Sequence, residues 1–454
     1  MLDQAVPVLR CAALCLALVL AGWSSASAAD RPNILLILAD DFGWGDLGSY
    51  GGKIAPTPRL DQLAAEGTRF TQFYAAAPIC SPSRCGLLTG QFPGRWRLNS
   101  YLQTRAGNRC CGQADFLDAK APSLARMLKE AGYATAHVGK WHLGGGRDVK
   151  EAPLFESYGF VESAGTWESP EPHAKLGKPF PPWDRRLAPG QVSRWERTGW
   201  MVDHSLDFIR RHKDQPWFVN LWLDDTHDPY VSAEADWNGD LKTRGKFVEV
   251  LERLDQQMGR LLDGLAAAGE DRDTLVLFLG DNGPSPTYGR ERTGGLRGAK
   301  LSLYEGGIRT PLLVRWPGHV PAGAVDETTV VSAVDFVPTV CALTGAAAPL
   351  AYDSDGEDQS AALRGEARLR TRPLLWEYGR NANCFRYPAD AEERSPSLAI
   401  REGEWKLLVQ NDGSGVELYN LSSDAQETSN VADQQPEIVK RLTEQVLGWR
   451  KTLP

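Results

Sequence analysis

The sequence lacks an excess of positive charge. Its 50 Lys and Arg residues are outnumbered by 58 Asp and Glu residues, which gives a formal net charge of −8, and neither sign forms a run of five or more. We therefore expect no binding of nucleic acid through a basic surface. An anionic substrate would have to be held by a few basic side chains that are gathered in one place.

Cysteine is too scarce for a disulfide-dense scaffold, and no Cys-x-x-Cys spacing indicates a zinc knuckle. Six of the eight cysteines lie beyond residue 28, namely Cys80, Cys85, Cys110, Cys111, Cys341 and Cys384. An exported protein could form one or two disulfides from this set. The adjacent pair Cys110 and Cys111 leaves open which member reaches a distant partner.

The apolar stretch near the N-terminus is too short for a comfortable transmembrane helix. Residues 1–28 combine a basic residue, this stretch and the small-residue site Ala26-Ser27-Ala28. That combination is typical of a secretory signal peptide. We therefore expect a periplasmic or secreted protein, cleaved near Ala28 and without stable membrane insertion. An uncleaved membrane anchor is the alternative.

Four apolar runs each lead directly into a polar cluster. The runs cover residues 33–38, 134–138, 217–223 and 274–279, and each suits a strand that is buried on both faces. Amphipathic patterns between them, such as residues 247–265, predict helices. The alternation predicts an α/β protein with a large, mostly parallel central sheet covered by helices on both faces. Ligands bind outside the carboxyl ends of such strands, so the polar clusters are expected to converge on one site.

The pattern of the chain changes in two further regions. Residues 166–200 are rich in Pro and Trp and predict an irregular insertion, which is either a packed connection or a wall of the substrate site. After about residue 350, four short strands and a last helix predict a smaller α+β subdomain built on an antiparallel sheet. We place the catalytic domain at residues 29–355 and the C-terminal subdomain at residues 356–454.

Hard oxygen ligands follow two of the predicted strands. Asp40 and Asp41 come after the first run, and Asp281 and Asn282 come after the fourth. Such a set suits Ca²⁺ or Mg²⁺ better than zinc. An Asp pair after a strand can instead cap a helix, but its combination with the second pair favours a metal site.

A predicted helix begins at Cys80-Ser81-Pro82-Ser83-Arg84 and continues through Leu87-Leu88-Thr89-Gly90. A helix N-terminus favours a thiolate or another anion. These residues alone leave two interpretations of Cys80 open, a thiol nucleophile and an inert buried cysteine.

The segment from Cys80 to Arg84 resembles the Cys-x-Pro-Ser-Arg maturation motif of the formylglycine-dependent (type I) sulfatase family, in particular relatives of the N-acetylgalactosamine-6-sulfatase and arylsulfatase A kind. Further motifs that match this family occur in family order: Asp40 to Asp46, Val138 to Gly144, Thr226 to Pro229, Asp281 to Gly283, and Lys300 with Tyr304 to Gly307. Together the motifs extend from residue 40 to residue 307. The resemblance implies the alkaline phosphatase-like fold.

The resemblance also implies the cofactors. Cys80 would be oxidised to formylglycine by a formylglycine-generating enzyme and then hydrated to a geminal diol. One Ca²⁺ per chain would be held beside that diol by Asp40, Asp41, Asp281 and Asn282, with the modified Cys80 completing the metal site. A divalent cation there would neutralise a sulfate oxygen and favour the ionised nucleophile.

Roles for the remaining residues follow from the same resemblance. Arg84 would hold the diol, and Asp281 would receive the proton as a diol oxygen attacks sulfur. Substrate would be bound by Lys140, His227 and Lys300, the two lysines on the sulfate oxygens. His227 and Lys300 would act on the departing alcohol oxygen. His142 would then take the proton from the second hydroxyl, so that sulfate is expelled and the aldehyde is restored.

These features predict an exported sulfatase that hydrolyses sulfate monoesters, and the expected substrate is a sulfated carbohydrate. The alternatives are a phosphodiester or phosphonate monoester hydrolase on the same fold and an inactive protein that binds sulfated glycans. Five basic residues near the motifs suit either further anionic groups of the substrate or solvated surface charge: Arg97, Arg105, Arg109, Arg147 and Lys150. The other histidines are expected to be structural: His137, His173, His204, His212 and His319.

Overall fold

The computed structural model describes residues 31–177, 186–233, 240–381 and 383–454. The expected signal peptide at residues 1–28 lies outside the described residues, as do residues 178–185 of the predicted insertion, with Pro179, Pro181, Pro182 and Trp183. Within the described ranges, no helix has the length and apolar character needed to cross a membrane.

The elements alternate between strand and helix over most of the chain. The strands are β1 (Asn33–Ala39), β2 (Thr68–Phe70), β3 (Phe73–Tyr74), β4 (Ala134–Gly139), β5 (Glu162–Gly165), β6 (Trp217–Leu223), β7 (Thr274–Gly280), β8 (Leu312–Arg315), β9 (Ala324–Asp326), β10 (Val331–Ser332), β11 (Leu374–Glu377), β12 (Leu398–Glu402), β13 (Trp405–Val409) and β14 (Glu417–Asn420). The α-helices are Pro58–Ala65, Cys80–Thr89, Arg105–Cys110, Leu124–Glu130, Arg197–Arg211, Arg244–Ala267, Glu305–Ile308, Phe336–Thr344, Ser360–Leu363 and Pro436–Thr452.

The central sheet has eight strands in the order β5-β4-β6-β1-β7-β8-β2-β9. From β5 to β7 every neighbouring pair is parallel. β8 runs antiparallel to both of its neighbours, β7 and β2. The prediction of a large, mostly parallel sheet is thus confirmed.

Helices cover both faces of this sheet, which explains the uninterrupted apolar runs. All seven residues of β1 are buried. Leu36 belongs to a core that includes the helices Cys80–Thr89 and Phe336–Thr344. Leu35, on the opposite face, belongs to a second core with the helix Arg244–Ala267. Because successive side chains of a strand point to opposite faces, a strand that is covered on both sides must be apolar throughout.

A separate sheet of four antiparallel strands, β11-β12-β13-β14, follows the central sheet. The last helix, Pro436–Thr452, packs on β12 and β13 and buries Leu442 and Val446. This part therefore has the predicted antiparallel architecture. A disulfide between Cys110 and Cys384 joins it to the end of the helix Arg105–Cys110 in the first part, which answers the question that the sequence left open.

The predicted insertion is less irregular than expected. The helix Arg197–Arg211 begins inside it and packs on β4 and β6. Its apolar side chains, among them Met201, Val202 and Phe208, recur at helical spacing and are buried. The prolines and tryptophans before this helix concealed that periodicity.

Candidate active site

The polar clusters that follow β1 and β7 lie side by side. Ala39 and Gly280, the last residues of the two parallel strands, are register partners, so the next residues of each strand meet at the same edge of the sheet. The Asp41 N–H donates to Asp281 Oδ1 at 3.0 Å. Asn282 Nδ2 donates to Asp41 Oδ1 at 2.7 Å. The structure therefore brings the four predicted metal ligands, Asp40 included, into one buried group.

The helix Cys80–Thr89 points its first turn at this group. Cys80 and Arg84 are one helical turn apart and share a face. Arg84 is fully buried, and its Nη1 donates to the Lys140 carbonyl oxygen at 2.7 Å. Its Nη2 lies 2.8 Å from Asp281 Oδ2 and 3.4 Å from Asp40 Oδ1. A single guanidinium therefore connects the helix Cys80–Thr89, the carboxylates of Asp40 and Asp281 and the end of β4.

The donor set suits a hard divalent cation. Asp40, Cys80 and Asp281 each offer a ligand atom, and these atoms lie within 4.8 Å of one another. Asp40 Oδ1 and Asn282 Oδ1 are buried without a hydrogen-bond partner among the described residues. Buried oxygens are costly unless something satisfies them. Oxygen-rich sites of this kind prefer Ca²⁺ or Mg²⁺.

Two lysines form ion pairs with the aspartates that follow β1. Lys140 forms an ion pair with Asp40, and Lys300 Nζ lies 2.8 Å from Asp41. Burial is the largest single effect and lowers the pKa of each lysine, but the nearby negative groups, led by Asp40 for Lys140 and by Asp41 for Lys300, together raise both pKa values above the ordinary value. Both side chains are thus positively charged and able to hold the oxygens of an anion.

The carboxylates differ in their proton affinity. Burial raises the pKa of Asp281 to about 7, and the nearby charge of Asp40 adds to this effect. Burial is the largest single effect and opposes ionisation of Asp40, but Lys140 and the other nearby basic side chains together hold the pKa of Asp40 well below the ordinary value. Asp281 is therefore the member of this group that can exchange a proton near neutral pH.

The unmodified thiol at the centre of the site is a poor nucleophile. Cys80 is only 2% exposed. Burial raises the pKa of its thiol to about 11, although Lys140 and Lys300 act in the opposite direction. A thiol of this kind is protonated at neutral pH, and the thiolate is the reactive form of cysteine.

His142 is a neutral, buried imidazole beside this group. Its Nε2 lies 3.2 Å from the Leu102 carbonyl oxygen and 3.4 Å from Glu168 Oε2. Burial lowers the pKa of His142 to about 3, even though Glu168 acts to raise it. The ring is therefore unprotonated at neutral pH.

His227 lies on the turn after β6 and is more exposed than His142. Its Nε2 is 3.8 Å from Asp41 Oδ2, and its Nδ1 is 2.6 Å from the Asp228 carbonyl oxygen. Arg194 holds this turn by donating from Nη2 to the carbonyl oxygens of Asp224, at 2.8 Å, and His227, at 2.7 Å. Sequence reasoning missed Arg194, because a single arginine between prolines and tryptophans carries no signal of this contact.

A cavity of about 690 Å³ opens above Cys80. Besides the predicted residues Asp40, Cys80, Lys140, His142, His227 and Lys300, its lining includes Tyr101, Arg147, Thr166, Glu168, Arg194, Lys242 and Arg386. Asp41, Arg84, Asp281 and Asn282 are buried beneath it. Because Thr166, Glu168 and Arg194 belong to the predicted insertion, its described portion forms part of the cavity wall.

The predicted surface cations do not share one location. Arg147 lines the cavity, whereas Arg97, Arg105, Arg109 and Lys150 are not among its lining residues. Arg105 instead pairs with Asp115 and Glu151. Sequence reasoning missed Lys242 and Arg386, which lie far from the motifs along the chain. The histidines that were expected to be structural also lie outside the lining.

Comparisons with known proteins find relatives that match most of this chain. A family model described as "Sulfatase" matches residues 32–346, and one described as "N-sulphoglucosamine sulphohydrolase, C-terminal" matches residues 299–452. N-acetylgalactosamine-6-sulfatase of Canis lupus familiaris is 36% identical over 399 residues, which cover 81% of this chain and 72% of that protein. Arylsulfatase A of Homo sapiens is 33% identical over 481 residues, which cover 94% of this chain and 89% of that protein.

A solved structure described under the metabolism of multiple glycosaminoglycans by Bacteroides thetaiotaomicron has a similar fold. Its TM-score is 0.74 at 27% identity, and the match covers 93% of this chain and 100% of that one. The likeness therefore includes the central sheet and the C-terminal antiparallel sheet.

Proposed function

We propose that this chain, which belongs to the sulfatase family and is a sulfuric ester hydrolase, removes sulfate from sulfated carbohydrates after export from the cell. The names of its relatives and the size of the cavity support a sugar substrate, since small-molecule sites occupy roughly 300–1,000 Å³. Export is supported by the signal-peptide pattern of residues 1–28.

The observation that carries the proposal is the position of Cys80. Cys80 begins a helix and lines the cavity. Its sulfur lies within 4.8 Å of carboxylate oxygens of Asp40 and Asp281, close enough for the three atoms to share one metal ion. We propose that Cys80 is converted to formylglycine, which supplies a hydrated aldehyde as the nucleophile. The raised pKa of the unmodified thiol supports this conversion, because a neutral buried thiol would attack a sulfate ester poorly.

The buried oxygen ligands would hold one Ca²⁺. When bound, the ion supplies positive charge that offsets a sulfate oxygen and favours an ionised nucleophile. The unpartnered oxygens of Asp40 and Asn282 support this assignment. Arg84 keeps Asp281 and Asp40 in place from the opposite side.

The other polar residues move protons and hold charge. Asp281, the carboxylate of this group whose pKa burial raises above the ordinary value when no metal is bound, receives a proton from the nucleophile. Lys140 and Lys300 hold the oxygens on which charge develops. His227, with Lys300, stabilises the departing alcohol oxygen. His142, an unprotonated base, removes the proton whose loss releases sulfate.

The test is a mass spectrum of the tryptic peptide from Phe70 to Arg84, from protein made in its own host or together with a formylglycine-generating enzyme. We expect an aldehyde in place of the Cys80 thiol. Cys80→Ala should abolish sulfate release from N-acetylgalactosamine 6-sulfate. Cys85→Ala is the matched control, because Cys85 is buried in the same helix and is not a lining residue of the cavity.

Sulfate release by Cys80→Ala would overturn the proposed nucleophile. A strong preference of the matured enzyme for an aryl phosphodiester over sulfate esters would instead favour a phosphodiesterase. Matured protein that binds sulfated sugars without releasing sulfate would point to a glycan-binding protein.

A further inference from the structure

We propose that Arg386 and Tyr101 form a second anion-recognition subsite at the rim of the cavity. It would bind an additional carboxylate or sulfate on the sugar next to the one that bears the scissile ester. The inference rests on the proposed function, and it narrows the substrate class to acidic oligosaccharides with at least two negative groups.

Arg386 differs from the other cationic side chains that line the cavity. Most of its cationic side chains already have a carboxylate partner: Lys140 pairs with Asp40, Lys300 with Asp41, Arg147 with Glu168 and Lys242 with Asp228. Arg194 is committed to two backbone carbonyl oxygens and lies 3.7 Å from Asp224. Among the described residues, no carboxylate forms an ion pair with Arg386. Its guanidinium is therefore the lining cation whose charge is left for a ligand.

The loop that carries Arg386 is held by a disulfide and by two hydrogen bonds. Cys384, two residues earlier, is bonded to Cys110. The Tyr378 hydroxyl donates to the Arg386 carbonyl oxygen at 2.7 Å, and the Tyr387 hydroxyl donates to the Gly379 carbonyl oxygen at 2.9 Å. The backbone of an exposed arginine is thus fixed in advance, which lowers the entropic cost of binding through it.

Tyr101 lies between Arg386 and His142. The Arg386 guanidinium carbon lies 5.3 Å from the centroid of the Tyr101 ring. The same ring is 6.4 Å, centroid to centroid, from the imidazole of His142. The Tyr101 ring is thus near both His142 and the guanidinium of Arg386. A sugar that extends from Cys80 along Tyr101 would bring its neighbour to Arg386.

The chemistry of the guanidinium defines the ligand. Its planar array of N–H donors matches the paired oxygens of a carboxylate or a sulfate. A uronic acid and a second sulfate ester present the same recognition chemistry. The two sources can be separated with a sulfated hexosamine, the same sugar linked to a uronic acid, and the same sugar carrying a second sulfate.

The experiment compares kcat/KM of the matured enzyme on these three compounds and on 4-nitrophenyl sulfate. Arg386→Ala should lower kcat/KM about tenfold for the compound whose second anion is recognised, because charge-assisted hydrogen bonds are lost. The singly charged substrates should be unaffected. Arg386→Lys should retain part of the effect, since lysine keeps the charge but not the planar donor array. Arg272→Ala is the matched control, because it removes one exposed arginine just before β7, at the far end of the sheet.

Binding is measured separately in the Cys80→Ala background, where turnover is not needed. We expect Arg386→Ala to weaken binding of the recognised doubly charged compound about tenfold and to leave binding of the sulfated hexosamine unchanged. Equal losses for all compounds, or no loss for any, would overturn the subsite. A wild-type enzyme that releases no sulfate while this selective loss persists would count against the proposed function alone.

Discussion

Arg84 donates two hydrogen bonds to a single oxygen of Asp281, from Nε at 3.0 Å and from Nη2 at 2.8 Å. Both side chains are completely buried. The other oxygen of Asp281 accepts the Asp41 N–H. The Asp281 carboxylate is thus held from two sides, by a backbone N–H just after β1 and by a side chain of the helix Cys80–Thr89.

We expect Arg84→Met to abolish turnover and to destabilise the fold, because it leaves buried carboxylates without their cation. Removal of one partner from a buried ion pair costs about 3–5 kcal/mol. Thermal unfolding and initial rates at a temperature where the variant is folded would measure the two effects. The matched control is Arg370→Met, which breaks another pair with little exposure, 2.6 Å from Asp335. It should lower stability while leaving kcat near the wild-type value, and an equal loss of kcat in both variants would contradict the assignment.

Removal of metal should lower both activity and melting temperature. A ligand present at about 100 times its dissociation constant stabilises the native state by about 2.7 kcal/mol. We expect chelation to lower the melting temperature of the wild type and added Ca²⁺ to restore it. Asn282→Ala should weaken this response, since it removes an unpartnered oxygen from the site. Asn220→Ala, which removes a buried amide beside His137, should keep the response to Ca²⁺. Equal responses in the two variants would count against the site.

The leaving group should reveal the role of His227. A sugar alkoxide needs help to depart, whereas nitrophenolate departs readily. His227→Ala should therefore lower kcat/KM by about 100-fold or more for a sugar sulfate and by much less for 4-nitrophenyl sulfate. Arg194→Met should show a smaller loss with the same selectivity, because Arg194 positions the His227 turn. Equal losses on both substrates would assign His227 to binding instead.

A buried charge cluster between the two sheets should make stability depend on pH. Lys406 lies 2.9 Å from oxygens of both Glu305 and Glu427, and none of the three side chains is exposed. Burial raises the pKa of Glu427 from 4.5 to about 7, and the neighbouring Glu305 adds to this effect. Since the folded pKa exceeds the unfolded value, this stabilisation is complete below pH 4.5 and is lost as the pH rises through about 7.

Glu427→Gln removes this titration. Its melting temperature should rise relative to the wild type by about 2 °C between pH 5 and pH 8. Scanning calorimetry at several pH values would measure the difference. Glu404 lies on the exposed turn between β12 and β13. The difference in melting temperature between Glu404→Gln and the wild type should stay constant from pH 5 to pH 8. A constant difference for Glu427→Gln as well would argue that the cluster does not titrate in this range.

The parallel strands that bring the site together could be predicted from the sequence, because each apolar run leads directly into a polar cluster. An apolar run such as residues 33–39 followed by two aspartates has few alternatives to a buried parallel strand with polar residues at its carboxyl end. The same logic placed Asp281 and Asn282 beside Asp40 and Asp41. This reasoning does not predict the burial of Lys406, because a lysine in a short strand is usually solvated. Lys406 is buried because it pairs with Glu305, which is distant in the chain.

The sequence by itself determined the main buried strands, the family and the polar residues that follow those strands, because apolar periodicity and contiguous motifs act over short stretches of chain. Only the tertiary structure decided that Cys110 pairs with Cys384, 274 residues away, that Arg194 holds the His227 turn and that Arg386 reaches the cavity rim. These contacts depend on how loops pack across the two sheets. Such packing is the sum of many weak interactions that leave no periodic trace in the sequence.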